Sequence, residues 1–456
     1  MKRLRLRALL PAILFGAFAG ALTADASEGV LPWVENDYPK ALAEARARNV
    51  PIFLEAWAPW CHSCRSMQAY VYTDRRLAPW AAKFVWLSVD TENKVNAATI
   101  AKYPVGAWPS MYVIDPQTEK ADFRWTGSAT VEQLRNFLDE TEGSAGPAKS
   151  AGADGADPLR VALGRADALY GAASWDAAAT AYASVLAHAP ADWKLAPRAA
   201  DAYLFSLIRA DRTAECARAA RELLPRMGAT PSSATVASMG LDCAVELAAD
   251  APERSATIAA LERATRSAID HPPAGLAVDD LSGLYISLIT ARDAAGDEEG
   301  KSRLVREWIA LLDGAAAKAE TPTARAVFDS HRLSAYLEAG EPERAVPMLE
   351  ASERDFPRDY NPPARLAIAY RAMKKPDLAL KAADRALELA YGPRRLGILR
   401  NRAKILEEKG DRTGARATLA AAIAEGDALP EAQRSERMMT ALRKELEALS
   451  SPPAAS

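Results

Sequence analysis

The stretch Trp57-Ala58-Pro59-Trp60-Cys61-His62-Ser63-Cys64-Arg65 constrains this chain more than any other. It follows the apolar run Ile52-Phe53-Leu54, which reads as a buried strand. It precedes Ser66 to Val71, which reads as the start of a helix. Two cysteines two residues apart at such a turn form a small, easily closed disulfide ring. The first, Cys61, sits where helix N–H groups and the helix dipole favour a thiolate. A thiolate is the attacking species in thiol–disulfide exchange, so the spacing predicts a redox site.

The surroundings sharpen this. Glu55 lies six residues before Cys61, on the incoming strand. Far downstream, Trp108-Pro109-Ser110 precedes a second strand-like run, Met111 to Ile114. With these residues in place, the region from about Trp33 to Glu142 resembles thioredoxin. It is most similar to the periplasmic thioredoxin-like domain of transmembrane disulfide reductases, through Tyr70-Val71-Tyr72-Thr73-Asp74 and the strand Val85 to Val89 before Asp90. The resemblance implies an α/β fold, a buried Glu55 able to exchange a proton with Cys64, and a cis-proline at Pro109 whose neighbouring backbone pairs with the client chain. Cys61 at the helix start reads as nucleophile and Cys64, one turn in, as resolving thiol; Trp60 is placed for client contact, and Trp108, bulky where thioredoxin has a smaller residue, either shapes substrate choice or shields the sulfurs. His62 departs from thioredoxin, which has glycine there. A protonated His62 would favour the Cys61 thiolate and make the disulfide more oxidising; a solvent-exposed spacer is the plainer reading. Direction of electron flow is therefore open, with reduction of clients implied by the resemblance.

The first 26 residues read as a signal peptide. Lys2, Arg3, Arg5 and Arg7 precede an apolar stretch from Ala8 to Leu22, short for a membrane span, and Ala24-Asp25-Ala26 is an A-x-A cleavage signal. Cleavage removes four basic residues and Asp25, taking the formal charge from −3 to −6. Such mild acidity points neither to nucleic acid nor to anionic membrane as partner, and no stable membrane span is expected after cleavage. Export to the periplasm places the chain where disulfides persist. Its four cysteines, Cys61, Cys64, Cys216 and Cys243, are too few for a disulfide-dense scaffold. No second CxxC or paired histidine supplies a zinc set, and Arg65 stands where covalent haem attachment needs histidine. No metal and no cofactor are expected.

A length of 456 residues predicts two to four domains. The thioredoxin-like domain is read as 27–142, ending in an amphipathic helix over Thr130 to Glu140. Residues 143–158 lack large apolar side chains and read as a flexible linker. From Leu159 alanine dominates and strand-like runs disappear. Turns at Gly340, Lys375 and Gly410 recur every thirty-five residues between helical patterns, which is the tetratricopeptide period. Trp175, Ala178, Tyr182 and Leu186 show similar spacing earlier. The fold class expected is therefore an α/β thioredoxin-like domain followed by an all-α TPR-like solenoid over 159–448, with a disordered tail at 449–456. Stacked helix pairs build a curved surface suited to a protein ligand. Cys216 and Cys243, each about a dozen residues from the turn between two helices, are expected to form a structural disulfide. His188, His271 and His331 stand alone and read as surface or packing residues.

These features predict an exported thiol–disulfide oxidoreductase acting on client proteins, recycled by a redox partner protein, with repeats recruiting a protein partner. The competing readings are a non-enzymatic assembly protein using both domains to bind, and an oxidation sensor signalling through the repeats.

Overall fold

The structure, a computed structural model, describes residues 29–142 and 157–450. The expected signal peptide and nearly all of the expected linker and tail lie outside the described residues. Pro158, read as linker, instead opens the first repeat helix behind an Asp157 cap, where a missing N–H costs nothing. Leu449, read as tail, is buried in the last helix, Glu436–Ser450. Among the described residues no helix is long and apolar enough to cross a membrane.

The N-terminal domain is a five-stranded mixed sheet. Its strands are β1 (Trp33–Glu35), β2 (Ile52–Trp57), β3 (Val85–Asp90), β4 (Ser110–Ile114) and β5 (Ala121–Thr126), in the order β1-β3-β2-β4-β5. β2 lies at the centre, parallel to β3 and antiparallel to β4. Helices α1 (Tyr38–Arg48), α2 (His62–Ser66), α3 (Ala97–Lys102) and α4 (Val131–Glu142) complete it. Strand β2 is apolar almost throughout because both faces are covered. Its side chains alternate. Ile52 and Leu54 pack with Ala41, Ala45 and Ile100 from α1 and α3. Phe53 packs on the other face with Trp86, Met67, Leu134 and Leu138. Glu55 shares the face of Phe53, so period two delivers a carboxyl into the second core. Helix α2 starts one turn after β2 and runs on through a π-type turn at Met67–Val71, where a plain helix from Ser66 is the sequence expectation.

Residues 157–450 form sixteen α-helices, nearly all packed on their sequence neighbours as a TPR-like solenoid. Alanines fill the crossings: Ala178, Ala179, Ala199, Ala200, Ala382 and Ala383 are all at most 1% exposed. The three thirty-five-residue turns are visible as left-handed residues at Gly340, Lys374 and Gly410, the middle one a residue earlier than its repeat position suggests. Helices Thr213–Leu223 and Pro231–Glu246 approach so closely that a Cβ on Gly240 would lie 2.2 Å from that of Ala220. That approach brings the Cα atoms of Cys216 and Cys243 to 6.1 Å, and the two are disulfide-bonded.

The repeats bend around the thioredoxin-like domain. Arg124 of β5 reaches the Ala168 carbonyl in the first repeat helix. Near the chain's end, the Gln433 side-chain amide donates to the Thr91 carbonyl at 2.8 Å. Contacts in between involve Ala324, Asp359, Tyr391 and Arg394. An array that touches one compact domain from its first helix to its last connecting turn must curve around it. The surface expected to receive a separate protein thus faces the redox domain of the same chain.

Candidate functional site

Cys61 caps the N-terminus of α2. Its Sγ accepts the N–H of Cys64 at 3.1 Å, and the two cysteines, with Cα atoms 5.3 Å apart, are joined as a disulfide. An N-terminal position gives Cys61 the helix dipole and free N–H groups that stabilise a thiolate. Both cysteines are buried: Cys61 is 4% exposed and Cys64 fully covered. Trp57, Trp60 and Trp108 pack against them. The rings of Trp60 and Trp108 meet edge to face at 5.2 Å. Each indole N–H is held, Trp60 by Glu92 and Trp108 by the Thr91 hydroxyl, both at 2.8 Å. The Trp108–Pro109 peptide is cis, at the entrance to β4.

Glu55 is 1% exposed, and its Oε1 has no hydrogen-bond partner. Burial, with the charge of Glu35 added, pushes its pKa up to about 8. A carboxyl titrating there is suited to passing a proton at neutral pH.

The solenoid completes this site. His62, between the cysteines, turns its Nδ1 to Asp279 at 3.2 Å, and the Ser66 hydroxyl donates to the same carboxylate at 2.7 Å. Asp279 lies in the first turn of the helix Val278–Ala294. Next to it, Asp280 accepts from the Ser128 hydroxyl, and burial with the charge of Asp279 pushes its carboxyl well up. His331 is not the isolated residue its sequence context suggests: its ring centroid lies 4.1 Å from that of His62. Burial, with the nearby His62 and Arg365, holds its pKa down to about 3. On the opposite side Arg65 pairs with Asp359, and the Asn361 side-chain amide donates to the Pro59 carbonyl at 3.1 Å. Between the domains lies a cavity of 1290 Å³, whose walls include His62, Ser66, Trp108, Ser128, Asp201 and Asp279.

Cys61, Cys64, Trp60 and Trp108 therefore pack as one cluster, with His62 and Pro109 as their chain neighbours and Glu55 on the strand that leads to Cys61, while Cys216 and Cys243 lie within the repeats. Asp279, His331, Asp359 and Asn361 have no local signal in the sequence. Each lies among other polar residues of the helical region, in Val278-Asp279-Asp280, Asp329-Ser330-His331-Arg332 and Arg358-Asp359-Tyr360-Asn361, with no spacing that points to the redox motif. Among the described residues no group of three or more His, Cys, Asp or Glu side chains is arranged to hold a metal.

Residues 33–116 match the model of the thioredoxin-like family. Over 88 residues the chain is 27% identical to protein disulfide-isomerase 1 of Dictyostelium discoideum, covering 19% of this chain and 24% of that protein. Over 110 residues it is 26% identical to the thiol:disulfide interchange protein DsbD of Pseudoalteromonas atlantica, covering 23% of this chain and 19% of that protein. The chain thus spans a quarter or less of the length of these relatives. Among solved structures, a tetratricopeptide repeat protein from Parabacteroides merdae aligns over 64% of this chain and 99% of its own, at 10% identity and a TM-score of 0.41. The match over residues 33–116 and the Cys61–Cys64 geometry define a thioredoxin-like domain with a CxxC centre, joined to the helical region whose turns recur at Gly340, Lys374 and Gly410.

Proposed function

We propose that this chain is an exported, periplasmic thiol–disulfide oxidoreductase that reduces client disulfides. One observation supports this above the others: Cys61 at a helix start, Cys64 one turn on, a buried carboxyl at Glu55 and a cis-proline at Pro109 share one site. In the reductive direction the Cys61 thiolate attacks a client sulfur, a client thiolate leaves, and a mixed disulfide forms. Glu55 takes the proton of Cys64. The Cys64 thiolate then attacks the Cys61 sulfur and releases the second client thiol. A partner protein returns two electrons and two protons to the resulting disulfide. The backbone beside Pro109 pairs with the client, and Trp60 and Trp108 must move aside or line its path. Likeness to the interchange proteins favours reduction and a periplasmic setting.

The repeats bind protein in this reading, with the cavity beside His62 admitting a client segment and the uncovered repeat surface left for a partner. The domain limits proposed are 27–142, with the signal peptide before them, and 158–450. The reduction potential of Cys61–Cys64 tests the function. A value near about −270 mV supports a reductant, one near about −120 mV an oxidant.

The burial of both sulfurs favours a second reading, a non-enzymatic binding protein. Failure of Cys61–Cys64 to exchange with glutathione would select it.

A further inference from the structure

His62 stands between the redox cysteines, and the group that holds it comes from the repeats. Asp279 is 1% exposed. One of its oxygens accepts from the neutral Ser66 hydroxyl, and the other lies against His62 Nδ1. The remaining groups around the ring do not compete for this role. Asp280 is turned to Ser128. His331, whose ring lies tilted against that of His62 from the helix Asp329–Glu338, is kept neutral by burial. Arg65 is directed to Asp359 and the Pro59 carbonyl. A buried carboxylate left without a counter-charge is costly, and His62 Nδ1, at 3.2 Å, is the group placed to bring one when its imidazole carries a second proton.

We propose that Asp279 is a positioning residue for the redox centre. Its carboxylate, set against Nδ1, favours positive charge on the His62 ring next to Cys61 in the chain, and so the dithiol over the disulfide. The repeats thereby set the redox poise of a centre to which they contribute no sulfur. This rests on the oxidoreductase reading above. The chemistry is that of any thiolate beside a cation. Stabilising the Cys61 thiolate stabilises the reduced form, so the disulfide becomes a stronger oxidant. The repeats are in direct contact with α2, so the effect needs no motion to be transmitted.

The experiment is equilibration of the full chain with glutathione. One protein disulfide and two glutathione thiols give one dithiol and one glutathione disulfide, so the equilibrium constant reports the potential. Asp279→Asn keeps an acceptor for Ser66 and removes the charge. It should lower that constant about tenfold, making the centre more reducing by about 30 mV. It should also raise the pH at which the Cys61 thiolate appears by its ultraviolet absorbance. In a His62→Asn background the same substitution should produce no fall. Ser66→Ala, which breaks the companion contact but leaves the charges, should leave the constant within twofold of wild type. A rise in the constant for Asp279→Asn would make Asp279 a bare anion near the sulfurs and overturn the proposal. No change overturns it as well, as does an equal shift from Ser66→Ala, which would reduce the contact to domain docking. If wild type does not equilibrate with glutathione at all, the oxidoreductase reading falls and takes this inference with it.

Discussion

Asn361, in the repeat region, donates its side-chain amide to the carbonyl of Pro59 at 3.1 Å, two residues ahead of Cys61. Arg65 donates to the same carbonyl at 2.8 Å, and Asp359 accepts from both Asn361 and Arg65. The approach to the redox cysteine is thus pinned from within its own helix and from the solenoid. Replacing Asn361 by Ala removes one of two donors at a buried carbonyl. A loss of about 1–2 kcal/mol in stability is expected. In the reduced protein, alkylation of Cys61 by a bulky maleimide should accelerate several-fold over wild type. Equal rates would mean that Asn361 does not control access.

The places of Cys61 at the helix start and Cys64 within it predict that Cys61 attacks and Cys64 resolves. Cys64→Ser should accumulate mixed disulfides with clients, resolved on non-reducing gels, and Cys61→Ser should not. Equal trapping by both variants would reverse the assignment.

Glu55 gives a pH dependence of definite sign. Its folded pKa of about 8 lies above the ordinary 4.5. Between these values the folded state holds a proton that the unfolded state has released. Stability therefore falls as pH rises from about 5 to about 8. Glu55→Gln removes this loss. The variant should gain on wild type across that window, by on the order of 4 kcal/mol for a fully buried carboxyl, measured by urea unfolding at several pH values. Its exchange rate should drop about tenfold or more and lose the inflection near pH 8. A pH–rate profile unchanged by the substitution would remove Glu55 from proton transfer.

The Cys216–Cys243 bond closes a loop with a sequence separation of 27. In the chain-entropy model such a closure stabilises by about 3–4 kcal/mol. Cys216→Ser together with Cys243→Ser should lower the melting temperature while leaving the potential of Cys61–Cys64 unchanged. Alkylation of the denatured, unreduced mature protein should label neither residue. Label on both would show free thiols, which pack as small apolar groups.

The redox centre was legible in the chain because its parts are local or periodic. Cys61 and Cys64 sit at a strand-to-helix turn. Glu55 falls on the inner face of β2 through the period of two. Pro109 precedes a recognisable strand. The repeats showed themselves through the thirty-five-residue recurrence of turns, and the Cys216–Cys243 pairing through the symmetry of one helical hairpin. What only the tertiary structure decided is how the repeats lie on the redox domain. His62 meets Asp279 and His331, and Pro59 meets Asn361, across more than two hundred residues of chain. Those encounters depend on the curvature accumulated over many helix crossings, each set by small residues. An aspartate, histidine or asparagine among the other polar residues of the repeats carries no periodic or spacing signal of a partner so far away in the chain. The chemistry of the centre is therefore written in the nine residues around Cys61 and Cys64 together with Glu55 and Pro109, whereas its enclosure and the charge beside His62 are products of the superhelix.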